Sequence, residues 1–230
     1  KPLSIDIEGL NQVEESIFNA EDPKLYVGFN RRKAEATSLA MQHIGTSSGP
    51  LFITYRFNVP SLPKDHWTKI QELGGGRIVG EAIHAIDLAT YITGSLPQSI
   101  SATSVVNKES NEANEDQVSL IIIFGNGSIA SITYFSEGSS LLPKEKIEVH
   151  GNNKSVIIED FTKVRILDDK NDKGKLIKSG KGHKELVKYF FEYINDTSAN
   201  EFTWKELKSV NQAAITAQEN MNSGRFHSII

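Results

Sequence analysis

Residues 100–167 alternate with a period of two, broken by tight-turn signals, and this pattern constrains the fold most. Ile100 to Val105 alternates. Val118 to Phe124 is apolar, Gly125-Asn126-Gly127 reads as a hairpin turn, and Ile129 to Phe135 returns. Lys144 to His150 gives another strand, Gly151-Asn152-Asn153 a second hairpin, and Ser155 to Glu159 and Val164 to Leu167 follow. Asp168 to Lys175 reads as a polar loop. Some six strands joined by short connections require a mainly antiparallel sheet.

Helices surround this region. Asp6 caps a helix with Leu10, Val13 and Ile17 on one face, and Leu25 to Phe29 reads as a short buried strand. Arg31 to Ile44 reads as a helix and Leu51 to Val59 as a strand. Another helix, from about Val79 to Ile92, ends at Gly94. Two helices close the chain. The first begins near His183, and the second opens on the Thr203-x-x-Glu206 capping box. The expected fold class is α+β: a large, mainly antiparallel sheet with helices on one face, preceded by one helix-strand unit of the αβ type.

The bulk numbers exclude several function classes. With 230 residues, 38% hydrophobic and 23% charged, the chain is ordinary for a globular protein. A net charge of -4 gives no basic footprint for nucleic acid and no polybasic membrane anchor, and no apolar run is long enough to span a membrane. The absence of cysteine removes disulfides, thiolate zinc sites and thiol catalysis, and fits a cytoplasmic protein.

The chemistry-bearing stretch is Gly74-Gly75-Gly76 followed by Glu81, His84 and Asp87. A glycine-dense turn lets a ligand approach the backbone. Spacing by three puts the titratable groups on one helix face. Read from the residues alone, His84 is as readily a satisfied core histidine as a catalytic one, and Glu81 and Asp87 either orient it or solvate the helix. Glu81 and His84 also stand at Glu-x-x-His spacing, but a di-metal carboxylate site needs a second copy, so no metal is expected. Asn30, Arg31 and Arg32 follow the 25–29 strand at its C-terminal end. Ligands of α/β sheets gather there, and an arginine there suits a phosphate or carboxylate; the alternative is a pair of solvated charges. No Gly-x-Gly-x-x-Gly fingerprint occurs.

Five stretches carry a family resemblance: Lys1-Pro2-Leu3; Val27 to Arg32; Gly74 to Asp87; Glu115-Asp116 with Phe124 to Ser128; and Lys144-Glu145 with Ile147 to Gly151. In this order they resemble the Gfo/Idh/MocA family of NAD(P)-dependent sugar oxidoreductases, with wording most similar to its nucleotide-sugar dehydrogenases. The resemblance implies that residues 1–30 are the C-terminal remnant of a dinucleotide-binding Rossmann domain. It makes residues 31–230 a substrate-binding and oligomerisation domain, and a fragment without its cofactor domain inactive. It matches Lys1 and His84 to the family's catalytic lysine and histidine, and Lys1 with Pro2 to positions against NAD or NADP. It makes Asn30, Arg31, Arg32, Glu81 and Asp87 candidates for binding a sugar or nucleotide-sugar, and implies a homo-oligomer formed through the sheet. Many members carry Asp four residues before the histidine; here that position is Gly80. A non-catalytic sugar-binding or oligomerisation domain is the alternative.

Overall fold

A computed structural model describes residues 1–21, 23–45, 49–63, 65–106, 113–195 and 202–229. Its centre is a nine-stranded sheet in the order β8-β7-β6-β5-β1-β4-β3-β2-β9. The strands are β1 (Phe52–Asn58), β2 (Pro97–Val106), β3 (Ala113–Phe124), β4 (Ile129–Phe135), β5 (Glu145–Gly151), β6 (Lys154–Glu159), β7 (Lys163–Asp168), β8 (Asp172–Leu176) and β9 (His227–Ser228). Every pairing is antiparallel except that of β1 with β4. The mainly antiparallel expectation holds, and β1 joins from the other side of the sequence as the parallel strand.

Both hairpin signals act as read. Asn152 and Asn153 take positive φ of 53° and 58°, the left-handed pair that a two-residue turn between β5 and β6 needs. Asp168 to Lys175 is corrected from a loop: the chain turns tightly there and returns as β8, whose residues are all exposed. A charged edge strand carries no apolar alternation, so periodicity could not reveal it.

The helices are α1 (Ile7–Asn19), α2 (Glu35–Ile44), α3 (Gln71–Gly74), α4 (Ile83–Thr93), α5 (His183–Ile194) and α6 (Trp204–Glu219). Asp6 caps α1 by accepting from the Gly9 N–H at 2.7 Å, and the capping box at Thr203 and Glu206 is complete. In the central strands alternate residues such as Ile53, Tyr55, Leu120, Ile132 and Ile147 are wholly buried, while their neighbours stay partly open. α2 packs on β5, β6 and β7, and α6 packs on β2 and α4, so one sheet face carries the core. α4 is buried nearly all round, which explains its near-continuous apolar sequence.

Three helix and strand boundaries differ from expectation. Leu25 to Phe29 forms no strand, although Val27 and Phe29 are buried; among the described residues no strand pairs with this segment. The helix expected from Arg31 is a short 3-10 turn (Asn30–Lys33), then α2 from Glu35. The helix expected from Val79 begins as one π-helical turn (Ile78–Ala82) and becomes α-helical at Ile83.

Candidate active site

The glycine triplet positions the site without exposing backbone to a ligand. A Cβ on Gly74 would lie 2.5 Å from the Trp67 carbonyl, and one on Gly76 would lie 2.6 Å from the Gln218 side chain of α6. Gly75 and Gly76 also hold positive φ of 68° and 82°. The space that glycine leaves is filled by the protein itself, so the triplet is a packing turn. This corrects the ligand-approach reading. Gln218 also accepts from the Ile78 N–H at 3.3 Å, tying α6 to the start of the π-turn.

His84 sits in the first turn of α4. Its imidazole is nearly buried and meets the Phe29 ring edge-on at 6.0 Å between centroids. Nδ1 is buried without a hydrogen-bond partner. Burial first, then the nearby Arg31 and Lys1 charges, hold its pKa well below the usual value, so the ring is neutral at pH 7. Lys1 meets the same region: its ammonium donates to the Gly80 carbonyl. Burial brings its pKa down to about 8, with Glu81 pulling up and Arg31 pushing down. A neutral base and an ammonium group are thus brought near one another, the lysine reaching Gly80 across 79 positions of sequence.

Arg31 and Arg32 are not solvated; they are 8% and 2% exposed. Arg31 makes a bidentate pair with Glu145 at 2.7 and 2.9 Å. Glu145 is fully buried and also accepts from Tyr55 and Lys181. Burial alone would raise the Glu145 pKa, but Arg31 and Lys181 outweigh it and bring it down to about 2. Arg32 makes its own bidentate pair with Asp87, at 2.6 and 3.0 Å, and reaches Glu206 at 3.3 Å. Its guanidinium also lies over the rings of Tyr91 and Phe202, at 5.1 and 4.9 Å. The Asp87 side chain is therefore engaged by Arg32 and not by His84. Asn30 donates to the Lys181 carbonyl at 2.7 Å, fixing the turn before α5.

Glu81 accepts from the Tyr134 hydroxyl and lies 3.4 Å from Arg77. It makes no hydrogen bond to His84. Arg77 is 1% exposed, 3.1 Å from Asp116 and 5.0 Å over the Tyr134 ring. Sequence reasoning missed Tyr55, Arg77, Tyr134 and Lys181 as members of these clusters. The alternation that placed Tyr55 and Tyr134 inward could have flagged their hydroxyls, since a buried tyrosine needs a polar partner. Among the described residues no group of His, Asp and Glu is arranged to hold a metal ion.

Residues 45–157 match the GFO/IDH/MocA C-terminal domain. Inositol 2-dehydrogenase of Rhizobium meliloti (strain 1021) is 29% identical over 171 residues, 72% of this chain and 50% of that protein. The chain thus spans about half the length of the curated relative it matches. These two findings support the Gfo/Idh/MocA family. Levoglucosan dehydrogenase, solved with NADH and levoglucosan, superposes with a TM-score of 0.79 at 17% identity, over 100% of this chain and 72% of that one. UDP-N-acetylglucosamine 3-dehydrogenase from Acidithiobacillus ferrooxidans gives 0.76 at 17% identity, over 97% and 69%. At these identities the structural likeness establishes a shared fold alone. The matched segment runs from before β1 into β6 and includes the π-turn and His84.

Proposed function

We propose that this chain is the larger, C-terminal part of a Gfo/Idh/MocA oxidoreductase that moves hydride between a sugar or nucleotide-sugar hydroxyl and NAD or NADP. On this reading residues 1–30 complete a dinucleotide-binding domain and residues 31–230 form the substrate domain. The observation that carries the reading is His84: a neutral, partly open imidazole whose buried Nδ1 has no partner, near the Lys1 ammonium. A buried polar atom without a partner is costly, and it fits a site that a substrate hydroxyl completes.

The nicotinamide, when bound, supplies the acceptor for the hydride that leaves the alcohol carbon. The chain's residues handle the proton and the charge. His84 takes the hydroxyl proton, and the Lys1 ammonium steadies the negative charge that develops on the oxygen. Lys1 and Pro2 would lie against the nicotinamide. Asn30, Arg31, Arg32 and Asp87 act as the framework around the site, because their polar groups are already paired within the chain, while Glu81 stays partly open. In the full-length protein, sugar-dependent reduction of NAD(P) is expected, and His84→Ala is expected to lower kcat by roughly two to four orders of magnitude. Unchanged turnover in that variant removes His84 from the chemistry.

A second reading, compatible with the first, is a cytoplasmic homo-oligomer formed through the open sheet face. Phe52 and Ile121 on that face are 48% and 42% exposed. Sedimentation should then show an oligomer that Ile121→Glu dissociates; a monomer at all concentrations ends this reading.

A further inference from the structure

The face of the sheet turned away from the core carries one polar row across its strands. Ser119 on β3, Thr133 on β4, Arg56 on β1, Lys146 on β5 and Glu159 on β6 stand side by side in register. Alternation puts them there. Tyr55 and Phe57 are buried in the core, so Arg56 between them is turned the other way. Around Arg56 lies a cavity of about 460 Å³, lined also by Thr54, Thr133, Pro143 and Lys146, with Glu148 and Glu159. Small-molecule sites are commonly of about 300–1,000 Å³.

The charges around this cavity do not balance by pairs. Arg56 and Lys146 are directly opposite on antiparallel strands, where like charges repel. Lys146 is answered by Glu148 at 2.7 Å, and Glu148 also faces His150 at 3.7 Å. Glu159 lies 4.0 Å from Lys163. No carboxylate among the described residues answers Arg56. Among those residues its side chain donates from Nη2 to the Pro143 carbonyl at 3.2 Å, and its Nε is buried without a partner. Thr54 stands two residues before Arg56 on the same face, and Thr133 stands beside it on β4. Neither hydroxyl has a hydrogen-bond partner among the described residues. A guanidinium with unspent donors, two free hydroxyls and a second cation opposite make the donor set of an oxyanion site.

We propose that this cavity binds a small oxyanion, a phosphate or carboxylate group, with the Arg56 guanidinium and the hydroxyls of Thr54 and Thr133 as its donors. Lys146 adds positive charge from the neighbouring strand. The cavity leaves room for the body of a small molecule that carries the group. His84 belongs to α4, which packs within the core on the other face of the sheet. The oxyanion site is therefore separate from the proposed reaction and does not rest on it.

The test is an NMR titration of the nitrogen-15-labelled chain with inorganic phosphate and, separately, acetate, with chloride exchanged to hold the ionic strength constant. The Arg56 Nε–H resonance and the Thr54 and Thr133 amides should shift and saturate with at least one probe. Arg56→Met should weaken that binding by about tenfold or more, and Thr133→Val by roughly threefold. Lys175→Met removes a lysine of the same sheet that pairs with Glu35 at 2.7 Å, and should leave it unchanged. Absent or non-saturating shifts with both probes overturn the site, as does saturable binding that folded Arg56→Met retains. Shifts that follow protein concentration and not probe concentration assign the counter-charge to a second copy, and overturn the free-anion site. The titration of the native chain decides even where Arg56→Met does not fold. It needs no turnover, so its failure and that of the proposed reaction are told apart.

Discussion

Two clusters of buried polarity meet at the turn 30–32, and they are satisfied to different degrees. Around Glu145 every group is answered: Arg31 takes both oxygens, and Tyr55 and Lys181 fill the remaining acceptor positions. Around His84 the accounting does not close, because Nδ1 has no partner. The Glu145 carboxylate is fully buried, and at His84 the Nδ1 atom is buried while the residue is partly open. Saturation separates them. A closed network of charges fixes geometry, whereas an open one holds capacity for a ligand.

The comparison makes its largest claim at Glu145. Glu145→Ala leaves Arg31 and Lys181 without their counter-charge and should cost on the order of 3–5 kcal/mol in urea unfolding. A loss below about 1 kcal/mol, the range of an exposed pair, would break the contrast. The same carboxylate sets an acid limit. Its folded pKa of about 2 lies below the ordinary 4.5, so the unfolded state binds more protons between these values. Its contribution is complete above about 4.5 and is lost as the pH falls toward about 2, an effect on the order of 3 kcal/mol. Acid unfolding followed by circular dichroism should show that slope in the native chain and its absence in Glu145→Ala.

The smaller effect has the opposite sign. His84→Leu replaces a ring that carries an unpartnered nitrogen with an apolar side chain of similar bulk. It should leave stability unchanged or raise it by about 1 kcal/mol while abolishing any turnover of the full-length protein. A destabilisation as large as that of Glu145→Ala would mean that His84 belongs to the framework, and the distinction between the two clusters would fall.

Much of the fold could be read before any coordinates. The Gly-Asn-Gly and Gly-Asn-Asn turns, the Thr203 capping box and the Asp6 cap are local devices, and local chemistry decides them. What failed locally failed for non-local reasons. β8 pairs with β7 without an apolar stripe to announce it, and residues 25–29 join no strand ladder among the described residues. The site divides in the same way. His84 and the pair Arg31-Arg32 stood out by type and spacing. Their partners Asp87, Glu145 and Glu206 lie 55, 114 and 174 positions from the arginines, distances over which sequence carries no pairing signal. Gly74 and Gly76 misled, because a glycine that yields to a neighbouring side chain reads like one that yields to a ligand.

The alternating strands, their turns, the helix caps and the titratable residues available for chemistry all follow from side-chain type and near-neighbour spacing. Which of those residues keep an unpaired buried atom follows from packing alone. Whether a charge is spent on the fold or left for a reaction depends on what packs against it, and here Glu145 closed around Arg31, Asp87 around Arg32, and nothing closed around the Nδ1 of His84.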